Sequence, residues 1–403
     1  MESFDVVVIG GGPAGMAAAL AAANSLSRVV LIERAPTLGG ILNQCTHIGF
    51  GLTYFGEELT GQEYARRFIK RVESSDVIVF TDTIVLDISP ERVITISGTD
   101  IGYRRIQSKT VVLATGCRER PIGALPVAGS RPVGIYSAGA AQKMINLGGY
   151  DIGNRFMILG SGDVGLIVAR ELAIRGKDVI AVIEKEAECG GLPRNRINCL
   201  ERFSIPLMLN TTATEIHGMP RISGVTVIDL SGGEKRLIPC DTLITSVGLI
   251  PERELLDGLA SANKLSSVPD WLFLCGNAAF VHDTVDDVTI ESERAGRIAA
   301  AAATAAEFGI RNSEFGIMTT TGTSQKLVHY SSDKYRGAQN KTSADADATN
   351  DSQNGYSIPN SEFRIPNSTQ CLACPKGCIA EKTETGWSGL ACGRAEPMSM
   401  STG

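Results

Sequence analysis

Seven short apolar runs punctuate this chain: Val6–Ile9, Val29–Ile32, Thr110–Leu113, Phe156–Leu159, Val179–Ile183, Thr242–Thr245 and Trp271–Leu274. Runs of four or five apolar residues bounded by turn signals predict buried strands. Between the first two lies an alanine run at 17–23, and a second covers 299–306. Both are too short to cross a bilayer and predict helices packed closely on a sheet. Residues 77–109 alternate more finely, in Val77–Phe80, Ile84–Leu86 and Arg92–Ile96. They predict short strands in a hairpin-rich crossover. A last helix is expected from Glu291. The pattern as a whole predicts an α/β chain of two Rossmann-like, doubly wound, three-layer domains.

The chemistry lies in the turns that close these strands. Val6–Ile9 runs into Gly10, Gly12, Pro13, Ala14 and Gly15, then a helix, then Val29–Ile32, Glu33 and the pair Gly39–Gly40. Phe156–Leu159 runs into Gly160, Gly162, Asp163, Val164 and Gly165, a helix, Val179–Ile183, Glu184 and Gly190–Gly191. In both copies the glycine pair begins six residues after the glutamate. The first glycine permits a tight turn, the second a close approach to a pyrophosphate, and the third helix–strand packing. Each diphosphate would sit at a helix N-terminus, and each glutamate would accept hydrogen bonds from an adenosine ribose. Two dinucleotides in one chain point to hydride transfer between flavin and nicotinamide. Ala114, Thr115 and Gly116 close a third strand, Gly248 closes its echo after Thr242–Thr245, and Gly276 with Asn277 follows Trp271–Leu274. A strand of this kind returning after the second copy predicts a split first domain with the second inserted in it.

These motifs resemble the two-dinucleotide-binding flavoprotein superfamily. Residues 39–51, 114–120 and 275–283 resemble more narrowly a branch of bacterial NAD(FAD)-dependent dehydrogenases similar to flavoprotein subunits of cyanide synthase and of amine or proline dehydrogenases. The resemblance covers about residues 4–311 and departs at Asn277, where the superfamily usually has Asp. It implies FAD in the outer domain (1–122 and 269–311) and NAD(P)H in the inserted one (123–268, entered through a Gly- and Pro-rich hinge). It also implies a partner dehydrogenase subunit of the glycerol-3-phosphate- or amine-oxidising type. Glu184 would repel a 2′-phosphate, so NAD(H) is expected over NADP(H); the neighbouring cations Arg34 and Lys185 oppose that preference.

Composition narrows the field. A net charge of −6 over 403 residues, with no basic stripe, excludes nucleic acid as an expected partner. The N-terminus enters a strand directly, so a cytoplasmic protein without a membrane span is expected, and an oligomer is allowed. Residues 312–366 are largely a polar linker rich in Ser, Asn, Asp and Thr. The segment 367–403 is a different object. Cys371, Cys374 and Cys378 are followed after thirteen residues by Cys392, a spacing that leans toward an iron–sulfur cluster, with zinc as the alternative. The segment resembles the small four-cysteine protein that accompanies this branch.

Around the flavin, the candidates for catalytic roles are Cys45, His47 and His282, with Asp283 beside them. Related disulfide reductases carry two redox cysteines just beyond the Gly–Gly pair, whereas here Cys45 stands alone. The alternatives to the dehydrogenase are therefore an NADH-dependent disulfide or peroxide reductase using Cys45, or a non-catalytic NADH-responsive binding module.

Overall fold

The computed structural model describes residues 1–307 except 26 and 264–266, together with two short strands at Lys382–Thr383 and Gly386–Trp387. The chain divides into the units Met1–His329 and Tyr330–Gly403, and everything below except the tail concerns the first.

The chain opens with β1 (Glu2–Ile9), α1 (Pro13–Ala23) and β2 (Val29–Ile32), with β1 and β2 parallel. After α2 (Gly61–Glu73) come β3 (Ile78–Phe80), β4 (Thr83–Ile88), β5 (Val93–Gly98) and the long β6 (Gly102–Leu113). The sheet order is β3-β2-β1-β6-β5-β4. The hairpin expectation for 77–109 holds for β4, β5 and β6, which are antiparallel neighbours. It fails for β3, which lies parallel to β2 at the far edge because α2 carries the chain across before it. The apolar runs become fully buried strands: Val6, Val7, Val8, Val29, Val30, Leu31, Val111 and Val112 are at 0% exposure. Val6, Val8, Val29 and Leu31 pack on α1 and α2, whereas Phe4, Val7, Ile9 and Val30 on the other face share a core with Val85, Ile88, Ile94 and Ile96 of the antiparallel strands β4 and β5.

The second sheet is all parallel. It uses β7 (Ile135–Ser137), α3 (Ala138–Asn146), β8 (Arg155–Leu159), α4 (Asp163–Ile174), β9 (Asp178–Ile183) and β10 (Leu207–Met208). An antiparallel layer of β11 (Thr211–His217), β12 (Gly224–Asp229) and β13 (Lys235–Ile238) precedes β14 (Thr242–Thr245). The order is β7-β14-β8-β9-β10. The Gly- and Pro-rich stretch 123–153 thus supplies β7 and α3. The chain passes between the sheets at Cys117–Glu119 and Leu249–Pro251, which pair antiparallel.

After α5 (Glu254–Asn263), β15 (Leu272–Leu274) returns to pair parallel with β6. The last helix, α6, spans Val285–Glu307 and starts six residues before the expected Glu291. The Thr284 hydroxyl accepts the Asp287 N–H at 3.2 Å and so caps the earlier start. Small residues let α6 lie directly on α1: a Cβ on Gly296 would fall 2.1 Å from the Ala18 carbonyl oxygen. Ala17, Ala18, Ala22, Ala299, Ala300 and Ala303 are buried in that core cluster. Among the described residues, no helix is long and apolar enough to cross a membrane.

Candidate functional site

The first cradle forms where β1, α1 and the end of β6 meet. Gly10 has φ +108°, and a Cβ there would lie 2.4 Å from the Ala114 carbonyl oxygen. A Cβ on Gly15 would lie 1.7 Å from the Gly10 carbonyl oxygen. These two glycines are consumed by packing. Gly12 is different: its φ is −74°, and a Cβ there would meet no other part of the protein within 4 Å. It is the N-cap of α1 with no side-chain cap, and Pro13 follows. The first-turn N–H groups at the positive end of the helix thus have no side-chain cap from Gly12, which suits an anion site. Buried Glu33 accepts from Gly11 N at 2.6 Å and Ala35 N at 2.7 Å. Gly39 N donates to the Gly11 carbonyl at 2.9 Å, and a Cβ on Gly40 would come within 2.9 Å of Gly12 Cα. Arg34 is exposed.

The second cradle repeats the first in its glycine turn and its glutamate, but a Cβ on Gly162 would lie 3.0 Å from Ser246 Oγ, which accepts the Gly165 N–H at 3.1 Å. Gly160 has φ +93°, and its Cβ would lie 2.2 Å from the Ser246 carbonyl oxygen. A Cβ on Gly165 would lie 2.6 Å from Ser246 Cβ. Gly162 caps α4 without a side-chain bond. Ser246 thus stands where Ala114 stands in the first copy. Glu184 accepts from Ser161 N at 2.9 Å, Ser161 Oγ at 2.7 Å and Glu186 N at 3.1 Å. Burial opposes the charge on Glu184, but these donors outweigh it and hold its pKa below the usual value. Asp163 Oδ1 accepts from Leu192 N at 2.8 Å and Asn195 Nδ2 at 2.7 Å, fixing the loop after Gly190–Gly191. Val164 packs against the adjoining core. Gly116 and Gly248, at φ +74° and +106°, leave open space on their Cβ sides. Lys185 is paired with Glu186 at 3.1 Å. Ser161 and Ser246 carry no motif of their own, and their roles appear only once the strands are assembled.

The third strand end joins the first cradle. Gly276 has φ +56°, and its Cβ would lie 2.7 Å from Ala14 Cβ. Beside it, Asn277 Nδ2 donates to Cys117 Sγ at 3.6 Å, while Asn277 Oδ1 accepts from His282 N at 3.0 Å. The Thr115 hydroxyl donates to the Glu252 carbonyl at 2.6 Å, tying this corner to the crossing strand. Asn277, His282 and Cys117 are therefore one cluster.

Cys45 and His47 belong elsewhere. Cys45 is 8% exposed, donates to the Ile41 carbonyl at 3.4 Å, and burial with the nearby Glu171 pushes its pKa up to about 12. Held as a thiol with little access, Cys45 lacks the thiolate character a nucleophile needs. His47 bonds the Ile48 carbonyl at 3.0 Å, packs on Phe50 and lies near Arg170 and Glu171 of α4, with burial lowering its pKa. Neighbouring Gln44 bonds the Gly139 carbonyl at 2.8 Å and Gln142 at 3.2 Å, so this loop joins the two sheets. Cys371, Cys374, Cys378 and Cys392 lie outside the described residues, among which no metal-binding cluster occurs.

The sequence pattern of the family "Pyridine nucleotide-disulphide oxidoreductase" matches residues 4–267. The chain belongs to this family. Its members bind FAD and NAD(P)H, and the open Gly12 cradle, with glycine rather than a capping side chain at the N-caps of α1 and α4, fits two such groups. The F subunit of alkyl hydroperoxide reductase from Staphylococcus aureus is 26% identical over 280 residues, 66% of this chain and 50% of that protein. The A subunit of opine oxidase from Agrobacterium tumefaciens is 27% identical over 274 residues, 63% of this chain and 54% of that protein. The chain spans about half the length of the curated relatives it matches. In fold it is similar to thioredoxin reductase of T. acidophilum, with a TM-score of 0.61 at 21% identity over 76% of this chain and 100% of that one.

Proposed function

We propose that this chain is an FAD-containing oxidoreductase that exchanges hydride with NAD(H) and passes electrons to or from a partner dehydrogenase subunit. The observation that carries the reading is the duplicated cradle, in which Gly10, Gly15 and Glu33 recur as Gly160, Gly165 and Glu184 with matching hydrogen bonds. Residues 1–122 and 269–311 would hold FAD, and 123–268 would hold the nicotinamide nucleotide. When bound, FAD supplies two-electron exchange with nicotinamide and release of electrons one at a time. The protein binds and orients. The α1 and α4 N-termini receive the diphosphates, Glu33 and Glu184 hold the riboses, and the crossing strands at 117–119 and 249–251 set the two cradles relative to each other. Glu184 favours NADH over NADPH, against the exposed cation of Lys185, which pairs with Glu186 at 3.1 Å.

The partner is inferred from the likeness to one chain of opine oxidase and from the resemblance to multisubunit dehydrogenases. On the same reading Cys371, Cys374, Cys378 and Cys392 hold an iron–sulfur cluster, with zinc the alternative, and the protein is cytoplasmic. A disulfide or peroxide reductase is the second reading, favoured by the family and by the likeness to alkyl hydroperoxide reductase. Against it stand the buried thiol of Cys45 and the lack of a C-x-x-C pair before residue 371. The two readings are tested by NADH oxidation with a one-electron acceptor and with a small disulfide. Turnover with the former, unchanged in Cys45→Ser, is expected. Turnover with the disulfide alone, lost in Cys45→Ser, would overturn the proposal.

A further inference from the structure

Two serine hydroxyls stand in the second cradle, and the protein spends them differently. Ser161 is fully buried; its Oγ donates to Glu184 Oε2 at 2.7 Å and accepts the Gly190 N–H at 2.7 Å. Its single proton is committed. Ser246 follows β14 and is half-buried. Its Oγ accepts the Gly165 N–H, in the first turn of α4, at 3.1 Å. Among the described residues, the acceptor for its proton is the Gly162 carbonyl at 3.5 Å, well beyond the usual O–H···O length. That carbonyl already accepts the Leu166 N–H at 3.1 Å. The Ser246 hydroxyl thus keeps a donor that the protein hardly uses. It also lies on the face by which a dinucleotide would reach α4. A Cβ on Gly162 would lie 3.0 Å from Ser246 Oγ and 3.5 Å from the Ser246 carbonyl oxygen, and would meet no other part of the protein within 4 Å. This side of the N-cap is bounded by Ser246 and otherwise open. At the matching point of the first cradle stands Ala114, which has no hydroxyl.

We propose that the Ser246 hydroxyl donates a hydrogen bond to the diphosphate of the nicotinamide nucleotide in the second cradle. The inference rests on the reading of that cradle as the nucleotide site. Ser246 Oγ accepts from the helix and donates to the anion, so it carries the positive end of α4 one hydroxyl further toward the ligand. Asp163, whose charge in the same turn would oppose an anion, is tied to the following loop by Leu192 N at 2.8 Å and Asn195 Nδ2 at 2.7 Å.

The test is calorimetric titration of protein saturated with FAD, so that the first cradle is filled. ADP-ribose is the probe, because it carries the adenosine and the diphosphate but no nicotinamide to react. Ser246→Ala keeps the residue type that the first cradle uses at this point. It should bind ADP-ribose about tenfold more weakly than wild type. Adenosine, which has no phosphate, competes for the same cradle and should bind both proteins alike, and FAD affinity should be unchanged. ADP-ribose affinity that is unchanged or higher in Ser246→Ala would overturn the inference. So would an equal loss for adenosine, which would mark a general disturbance of the cradle rather than a lost bond to the diphosphate. Wild-type protein that binds no ADP-ribose would instead remove the reading of the second cradle, and the inference with it.

Discussion

Gly12→Ala separates a glycine needed for folding from one needed for a ligand. Gly12 has φ −74° and ψ −172°, which alanine adopts readily, and its Cβ would meet no other part of the protein within 4 Å. The loss on the fold side is the weaker N-cap preference of alanine, under about 1 kcal/mol, or a fall in Tm of less than about 4 °C. The added methyl enters the space in which the diphosphate approaches α1. Forcing the diphosphate off one backbone N–H forfeits about 1.5–3 kcal/mol, the worth of a hydrogen bond to a charged group. FAD should then bind about 10–150-fold more weakly. Gly10→Ala is the control. At φ +108° a side chain costs about 1–2 kcal/mol, and its Cβ 2.4 Å from the Ala114 oxygen must displace backbone as well. Flavin-free protein should therefore lose clearly more Tm in Gly10→Ala than in Gly12→Ala. Thermal unfolding without FAD, and fluorescence titration with it, measure the two effects. Wild-type FAD affinity in Gly12→Ala, or a Tm loss equal to that of Gly10→Ala, would refute the reasoning.

Other expectations rest on the same geometry. Gly296→Val should destabilise the protein by about 2 kcal/mol or more through the α1–α6 contact, seen as a lower denaturation midpoint in urea. Glu184→Gln should weaken NADH binding several-fold and leave FAD content unchanged, as read by equilibrium dialysis. Because the folded pKa of Glu184 lies below its unfolded value near 4.5, its stabilising contribution is complete above that pH and fades as pH falls further. The Tm difference between wild type and Glu184→Gln should accordingly shrink below about pH 4.5. Purified full-length protein should carry iron, and replacing Cys371 or Cys374 should remove it; iron content unchanged in both would refute the cluster.

Much of the fold was legible because the local signals agree. Uninterrupted apolar runs mark strands buried on both faces, and glycines at fixed offsets mark turns that only a strand–helix junction needs. The returning strand at Leu272–Leu274 was legible from the same signature. Contacts made at long range escaped. Ser246 bonds Gly165 across 81 residues, and Asp286 accepts from Gly51 across 235, and neither belongs to a recognisable local pattern. The early start of α6 had a signal, Thr284 three residues before Asp287, which the apolar pattern outweighed. Cys45 was legible only in part, for a physical reason. Its position beyond the glycine pair is visible in sequence, whereas the burial that holds its proton is a property of the packed loop.

Anaerobic titration of the FAD-loaded protein with NADH tests the central claim most directly. One equivalent of NADH per bound flavin should bleach the visible flavin absorbance, and a variant with the second cradle blocked, Gly162→Ala, should need far more nucleotide. A flavin spectrum unchanged by excess NADH would contradict hydride transfer between the two cradles.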